Sequence, residues 1–128
     1  MSGGIADVLH YLIFRFPRVP EDLLHRTFFE VLEQSPGALA EDIVRELHRD
    51  SHPPSQATPR FPAIDRALSA LAVPGTVSFG TEFDAQAEQY RVLYSIKRSR
   101  SPRRPECDGI DLIEQTLKGL LEQERSAV

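Results

Sequence analysis

The sequence predicts a mostly helical α+β domain, and three local patterns carry that prediction. Several segments space their apolar residues at intervals of three and four, as amphipathic helices do. Residues 89–96 alternate in the way that a half-buried strand does. Prolines and glycines separate these segments, and 128 residues is an ordinary length for one domain with a continuous core. We therefore expect a single domain over residues 1–128, with about five helices and one antiparallel β-hairpin.

Three helices are predicted in the first half of the chain. The apolar stripe of the first runs from Ile5 to Phe16 and stops before Pro17. Pro20 is predicted in the first turn of the second helix, because proline suits that turn and the two acidic residues after it complement the helix dipole. The third helix is predicted to fade at Arg49 and Asp50 and to turn three residues inward, Leu39, Ile43 and Leu47.

The second half is predicted to hold a helix, a hairpin, a linker and a final helix. A proline-rich loop leads to a helix that starts at Pro62 and stops at Pro74-Gly75. The hairpin pairs a short strand, Thr76–Phe79, with a longer one, Gln89–Ile96, across a polar tip, Gly80–Glu88. A basic linker at 97–105, too polar to join the core, and a C-terminal helix at 109–125 complete the chain.

This helix, glycine turn and hairpin resemble a winged helix. The stretch AIDRALSALAVPGTVSF followed by QYRVLYSI has the spaced leucines, the glycine and the strand pair of that architecture. The resemblance covers residues 60–96 and implies that the helix is a recognition helix and the hairpin a wing. It identifies a fold more than a role.

The N-terminal run VLHYLIFRFPRVPEDLLHRTFFEVLE resembles the opening of Panacea-domain proteins, which include SocA-like antitoxins and adaptors. In that family the second helix carries a Lys-Leu pair and is followed by a Gly-Pro loop. Here His25-Arg26 stands in place of the pair, and His52-Pro53-Pro54 matches the loop only in part. The resemblance implies binding to a protein partner or a toxin.

Positive charge is concentrated after the hairpin, although the chain as a whole has a net charge of −4. Wing arginines commonly contact phosphates, and an arginine on a recognition helix can read a base edge. The leading interpretation is therefore a small DNA-binding or transcription-regulatory protein. Its predicted nucleic-acid-binding residues are Arg60, Arg66, Lys97, Arg98, Arg100, Arg103 and Arg104.

The alternative is a protein-protein interaction module, antitoxin-like or an adaptor, that does not bind DNA. The acidic remainder of the chain and the few cations on the recognition helix favour it. Either function is expected in a homodimer that pairs through apolar residues of the first and last helices. These residues are Leu9, Leu12, Ile13, Phe16, Leu117, Leu120 and Leu121.

Other chemistry finds little support in the sequence. His48 and His52 are four residues apart, but Pro53 is predicted to end the helix between them, so neither a metal nor a cofactor is expected. Cys107 has no histidine near it, and no enzyme activity is expected. The stripe from Tyr90 to Ile96 could stack single-stranded bases but is predicted to pack on the helices. Without a signal peptide or a membrane-spanning run, a cytoplasmic location is expected.

Overall fold

A computed structural model describes residues 4–35, 37–48, 60–85, 87–97 and 102–126. It confirms a mostly helical α+β fold. The helices in the described part of the chain are α1 (Ile5–Arg15), α2 (Glu21–Gln34), α3 (Glu41–Leu47), α4 (Pro62–Ala72) and α5 (Ile110–Ser126). The strands are β1 (Val19–Pro20), β2 (Val77–Asp84) and β3 (Gln89–Ile96), which form an antiparallel sheet in the order β1-β3-β2.

The helices form where the apolar spacing predicted them, and they share one core. Helix α1 packs against α4, and α5 packs against α2. Phe28 and Phe61 are the largest side chains in the interior of this core. Burial of such large apolar groups is the main favourable contribution to folding.

The first strand was not predicted from the sequence. Val19 and Pro20 pair with Tyr94 and Leu93, so the residue expected to open a helix belongs to a strand and precedes α2. Arg18 has a positive φ of 61° and donates its backbone N–H to Ser95 Oγ at 3.1 Å. Two residues are too few to show a strand's periodicity, and only the pairing with β3 defines them.

The hairpin is longer than predicted. Strand β2 continues from Val77 to Asp84, so most of the segment expected to form a polar tip is strand. Phe83 lies opposite Tyr90 and Thr81 opposite Val92 across the ladder. Aromatic and β-branched cross-strand pairs of this kind stabilise a sheet despite polar neighbours, which the composition of the segment concealed.

The apolar residues assigned to a dimer interface lie mainly inside the monomer. Leu9, Leu12, Ile13 and Leu117 have no exposed surface, Leu120 is buried, and Phe16 and Leu121 are half-buried against the core. The assignment to a dimer contact was therefore wrong for Leu9, Leu12, Ile13, Leu117 and Leu120, which lie in the core of the monomer, and it stays a prediction for Phe16 and Leu121. The homodimer itself stays a prediction.

The end of the basic linker is attached to the core, contrary to expectation. Pro105 is buried and Cys107 is half-buried. Ala40 donates its backbone N–H to the carbonyl of Asp108 at 3.2 Å. Gly109 has a φ of 87°, and a β-carbon there would lie 2.6 Å from the Ala38 carbonyl oxygen, so this close approach requires glycine.

Candidate functional site

The predicted DNA-contacting residue Arg60 is bound within the protein. Its guanidinium donates to Glu21 Oε1 at 2.8 Å and to both carboxylate oxygens of Asp65, at 3.0 and 3.2 Å. Burial lowers the Arg60 pKa, but the hydrogen bond to Glu21 and the charge of Asp65 outweigh that effect and raise it. The side chain is 60% exposed, but a phosphate would compete with two carboxylates for it.

Arg66 lies on the exposed side of α4 together with Ser69, Ala70 and Val73. This outward surface is small and largely uncharged. Val73 at the end of the helix is 87% exposed. Arg66 is therefore positioned where a base-reading residue is expected, but its helix offers few further cations for the phosphate backbone.

The described cations of the basic run, Lys97, Arg103 and Arg104, are all exposed, but Arg104 is also paired with carboxylates. Lys97 is exposed directly after β3, and Arg103 is exposed further along, while Arg98 and Arg100 lie outside the described residues. Arg104 is bound by Asp111 and lies 3.6 Å from Glu114. It is thus part of the attachment of the linker to α5.

Glu114 is the centre of a charge cluster that includes Arg104. Its Oε1 accepts hydrogen bonds from the Tyr11 hydroxyl at 2.8 Å and from Arg15 Nε at 2.9 Å. Partial burial raises the Glu114 pKa, but these hydrogen bonds and the nearby positive charges lower it overall. The cluster joins α1 to α5, which is a structural role.

His25 of α2 lies in the interior and shares Asp65 with Arg60. It is fully buried, its Nδ1 accepts the backbone N–H of Phe61 at 3.0 Å, and its Nε2 lies 3.2 Å from Asp65 Oδ1. Because Nδ1 is the acceptor, Nε2 carries the proton and donates to Asp65. Burial lowers the pKa of His25 and keeps the ring neutral, although the charge of Asp65 opposes the shift.

Glu21, His25 and Asp65 are close enough to hold a metal, since one ligand atom from each lies within 4.8 Å of the others. Their hydrogen bonds do not fit that use. A metal would need the lone pair of His25 Nε2, but Phe61 holds the tautomer in which Nε2 is protonated. Arg60 already occupies the carboxylates, so the cluster is a hydrogen-bonded link between α2 and α4.

Tyr94 of β3 joins the same cluster by donating its hydroxyl to Glu21 Oε2 at 3.0 Å. Burial and the adjacent Glu21 carboxylate raise the Tyr94 pKa, so the phenol stays protonated as a donor. The base of the hairpin is thereby attached to the start of α2. The two histidines that the sequence analysis considered as metal ligands lie elsewhere in the chain: His48 is exposed at the end of α3, and His52 is outside the described residues.

One side of the hairpin presents an exposed aromatic surface that the sequence analysis missed. Phe79 is 63% exposed, Phe83 54% and Tyr90 72%. The rings of Phe83 and Tyr90 meet edge to face with centroids 5.3 Å apart. These three side chains are called the aromatic face below. The alternation of Phe79, Thr81 and Phe83 was a signal for it, but these residues had been divided between a short strand and a loop.

Burial along the β3 stripe changes with distance from the helices. Tyr94 is buried, Val92 and Ile96 are half-buried, and Tyr90 is largely exposed. The prediction that the stripe packs on the helices is therefore right near the base of the hairpin and wrong at Tyr90. On this side of the sheet the helices leave Tyr90 uncovered.

Arg91 holds the hairpin in place from the opposite side of the sheet. It donates to Asp22 at 2.9 Å and lies 2.7 Å from Glu124, so it joins β3 to α2 and α5. Burial lowers the Arg91 pKa, but hydrogen bonds to these two carboxylates raise it overall. The aromatic face is consequently carried on a hairpin whose orientation is fixed.

Cys107 has none of the features of a reactive thiol. It is half-buried beside Arg104, and burial together with the charge of Asp108 raises its pKa. A raised pKa keeps the sulfur protonated and weakly nucleophilic. The expectation of no enzyme activity stays a prediction.

Comparisons with protein-family models, with curated proteins and with solved structures found no match. The resemblances to winged helices and to Panacea-domain proteins therefore stay predictions. None of the helices in the described ranges has both the length and the apolar character needed to cross a bilayer.

Proposed function

We propose that this chain is a protein-protein interaction module, of antitoxin or adaptor type, that binds its partner through the aromatic face of a wing-like hairpin. The observation that carries this proposal is the exposure of Phe79, Phe83 and Tyr90 on one side of one hairpin. Exposed aromatic groups that adjoin one another are typical of binding surfaces and supply much of the affinity when a partner covers them.

The charges of the hairpin favour a protein over a nucleic acid as its partner. Glu82 and Asp84 lie on the other side of the same strand and Glu88 lies near the turn, and their negative charge disfavours a phosphate backbone on this hairpin. Arg91 is already paired with two carboxylates, and Arg18 lies 3.7 Å from Glu82. A stacking platform for single-stranded bases would need cations along its groove, which this hairpin does not offer.

The order of the elements supports a winged-helix-like scaffold for this function. Helix α4 leads through Gly75, which has a φ of 80°, into β2 and β3, and β1 completes the sheet beside β3. In this arrangement one side of the hairpin is held by α2 and α5 through Arg91, and the aromatic face on the other side is available to a partner.

The test is photo-crosslinking in cells from a benzoylphenylalanine at position 83, compared with the same group at position 69 on α4. We expect position 83 to label a protein that position 69 does not label. A variant carrying Phe79→Ser and Tyr90→Ser should bind that protein at least tenfold more weakly, because buried interface aromatics contribute about 2 kcal/mol or more. Equal labelling at both positions, or unchanged binding by the variant, would contradict the proposal.

DNA binding is the second candidate, and it rests on the exposure of Arg66, Lys97 and Arg103. A variant that tests it must keep Arg104, whose ion pairs hold the linker on α5. If Lys97, Arg98, Arg100 and Arg103 neutralise phosphates, their removal changes the slope of log K against log salt by about 3 to 4 per protomer. The substitutions are Lys97→Ala, Arg98→Ala, Arg100→Ala and Arg103→Ala.

Arg66→Ala separates base reading from backbone contacts in the same duplex titration. Loss of a base contact should cost about 1–3 kcal/mol on a preferred site and little on random DNA. Fluorescence anisotropy at low salt measures both variants. Absence of any binding by the natural protein would remove DNA as a candidate and leave the interaction module.

A further inference from the structure

Strand β2 has an open edge. It pairs with β3 on one side and is the outermost strand of the sheet in the described part of the chain. Residues 79–83 are all exposed. An exposed strand edge has backbone donors and acceptors that another strand can pair with.

The phase of the β2-β3 ladder determines which backbone groups point outward. Lys97 donates its backbone N–H to the Thr76 carbonyl at 3.4 Å, which makes positions 76 and 97 a hydrogen-bonded pair. Such pairs alternate along an antiparallel ladder, so the even-numbered residues of β2 bond to β3. Phe79, Thr81 and Phe83 therefore direct their backbone N–H and C=O groups toward the open edge.

We propose that two copies of this chain pair through this edge, with their β2 strands antiparallel about a two-fold axis at Thr81. Phe79 of each copy then lies opposite Phe83 of the other, on the same side of the joined sheet. The proposal extends the proposed function in one respect, because pairing merges the two aromatic faces into one continuous surface.

Charge favours this register over the neighbouring one centred on Glu82. With the axis at Thr81, each Glu82 faces Gly80 of the second copy, and each Asp84 faces Ser78. With the axis at Glu82, the two Glu82 carboxylates would face each other. Like charges directly opposite each other destabilise a strand pair.

A second copy fits better than an indefinite stack. The two-fold contact uses the β2 edge of both copies and closes the assembly. The opposite edge of the sheet is β1, which has only two residues and cannot template a further strand. The contact also leaves undisturbed the core side chains of α1 and α5.

The first test compares Thr81→Pro with Thr81→Val by sedimentation equilibrium of the full chain. The Thr81 N–H points away from β3, so proline removes an edge donor without breaking the hairpin ladder. We expect dimers of the natural protein and of Thr81→Val at tens of micromolar, and at least tenfold weaker association of Thr81→Pro. A natural protein that stays monomeric at that concentration overturns the proposal.

The second test reverses a charge and does not depend on how proline is tolerated. A β-carbon at Gly80 would meet nothing within 4 Å, so longer side chains fit there. Gly80→Lys should strengthen dimerisation about fivefold by facing Glu82, and Gly80→Glu should weaken it by a similar factor. A register centred on position 80 would place two lysines face to face, so a weaker dimer of Gly80→Lys overturns the proposed register.

The two proposals fail in different ways. A dimer of the natural protein that cross-links to no other protein from position 83 supports the strand pairing and contradicts the interaction function. A monomer that still labels a partner from position 83 contradicts the strand pairing and leaves the function standing.

Discussion

Buried His25 makes the stability of this protein depend on pH. Its ring is fully buried, with both nitrogens in hydrogen bonds, and burial lowers its pKa below the ordinary value of about 6.5. The unfolded chain therefore binds a proton more readily than the folded one. The contribution of His25 to stability is complete above pH 6.5 and is lost as the pH falls from there toward the folded pKa.

The size of this effect follows from proton counting. One proton taken up on unfolding changes the free energy of unfolding by at most about 1.4 kcal/mol per pH unit. Protonation of Nδ1 also removes the acceptor of the Phe61 N–H and leaves that buried donor without its partner. Unpaired buried donors cost about 1–3 kcal/mol.

The assay is urea unfolding followed by circular dichroism between pH 5 and pH 8. We expect the stability of the natural protein to fall below pH 6.5 more steeply than that of His25→Gln, which cannot take up this proton. His48→Gln, at an exposed position, should keep the natural pH profile. If the natural protein and His25→Gln have parallel profiles, the inferred neutral state of His25 is wrong.

Three further predictions concern other parts of the fold. Arg91→Met removes two ion pairs and should lower the free energy of unfolding by about 1–2 kcal/mol. The loss is no larger because both carboxylate partners are partly exposed and screened by solvent, and it should shrink in high salt. Gly109→Ala should cost about 2 kcal/mol or more, whereas Gly119→Ala, inside α5 with free space around it, should add about 0.5–1 kcal/mol. Urea unfolding measures these effects, and equal effects of the two alanines would contradict the role of the Gly109 turn. EDTA should leave the melting temperature unchanged, because His25 Nε2 donates a hydrogen bond to Asp65 and has no lone pair for a metal. A drop in melting temperature would show that a metal is bound.

The sequence alone predicted the elements whose signal is local. The helices and strand β3 follow from apolar spacing, and their ends follow from prolines and glycines. Length and apolar content were sufficient to predict one core. These features depend on residues a few positions apart in the chain, so the amino-acid sequence is sufficient to predict them.

Tertiary structure decided which side chains remain available for function. Arg60 and Arg104 are exposed, and the sequence does not show that carboxylates distant along the chain or on another element bind them. The pairing partner of β1 and the buried environment of His25 also come from residues far apart in sequence.

The aromatic residues show the same division. Alternation along the hairpin predicts a strand with one apolar side, but it does not tell whether a helix covers that side. The helices reach Tyr94 and stop short of Tyr90, so one residue is core and the other surface. Exposure depends on how far neighbouring elements extend in space, and for that reason only the folded structure determined it.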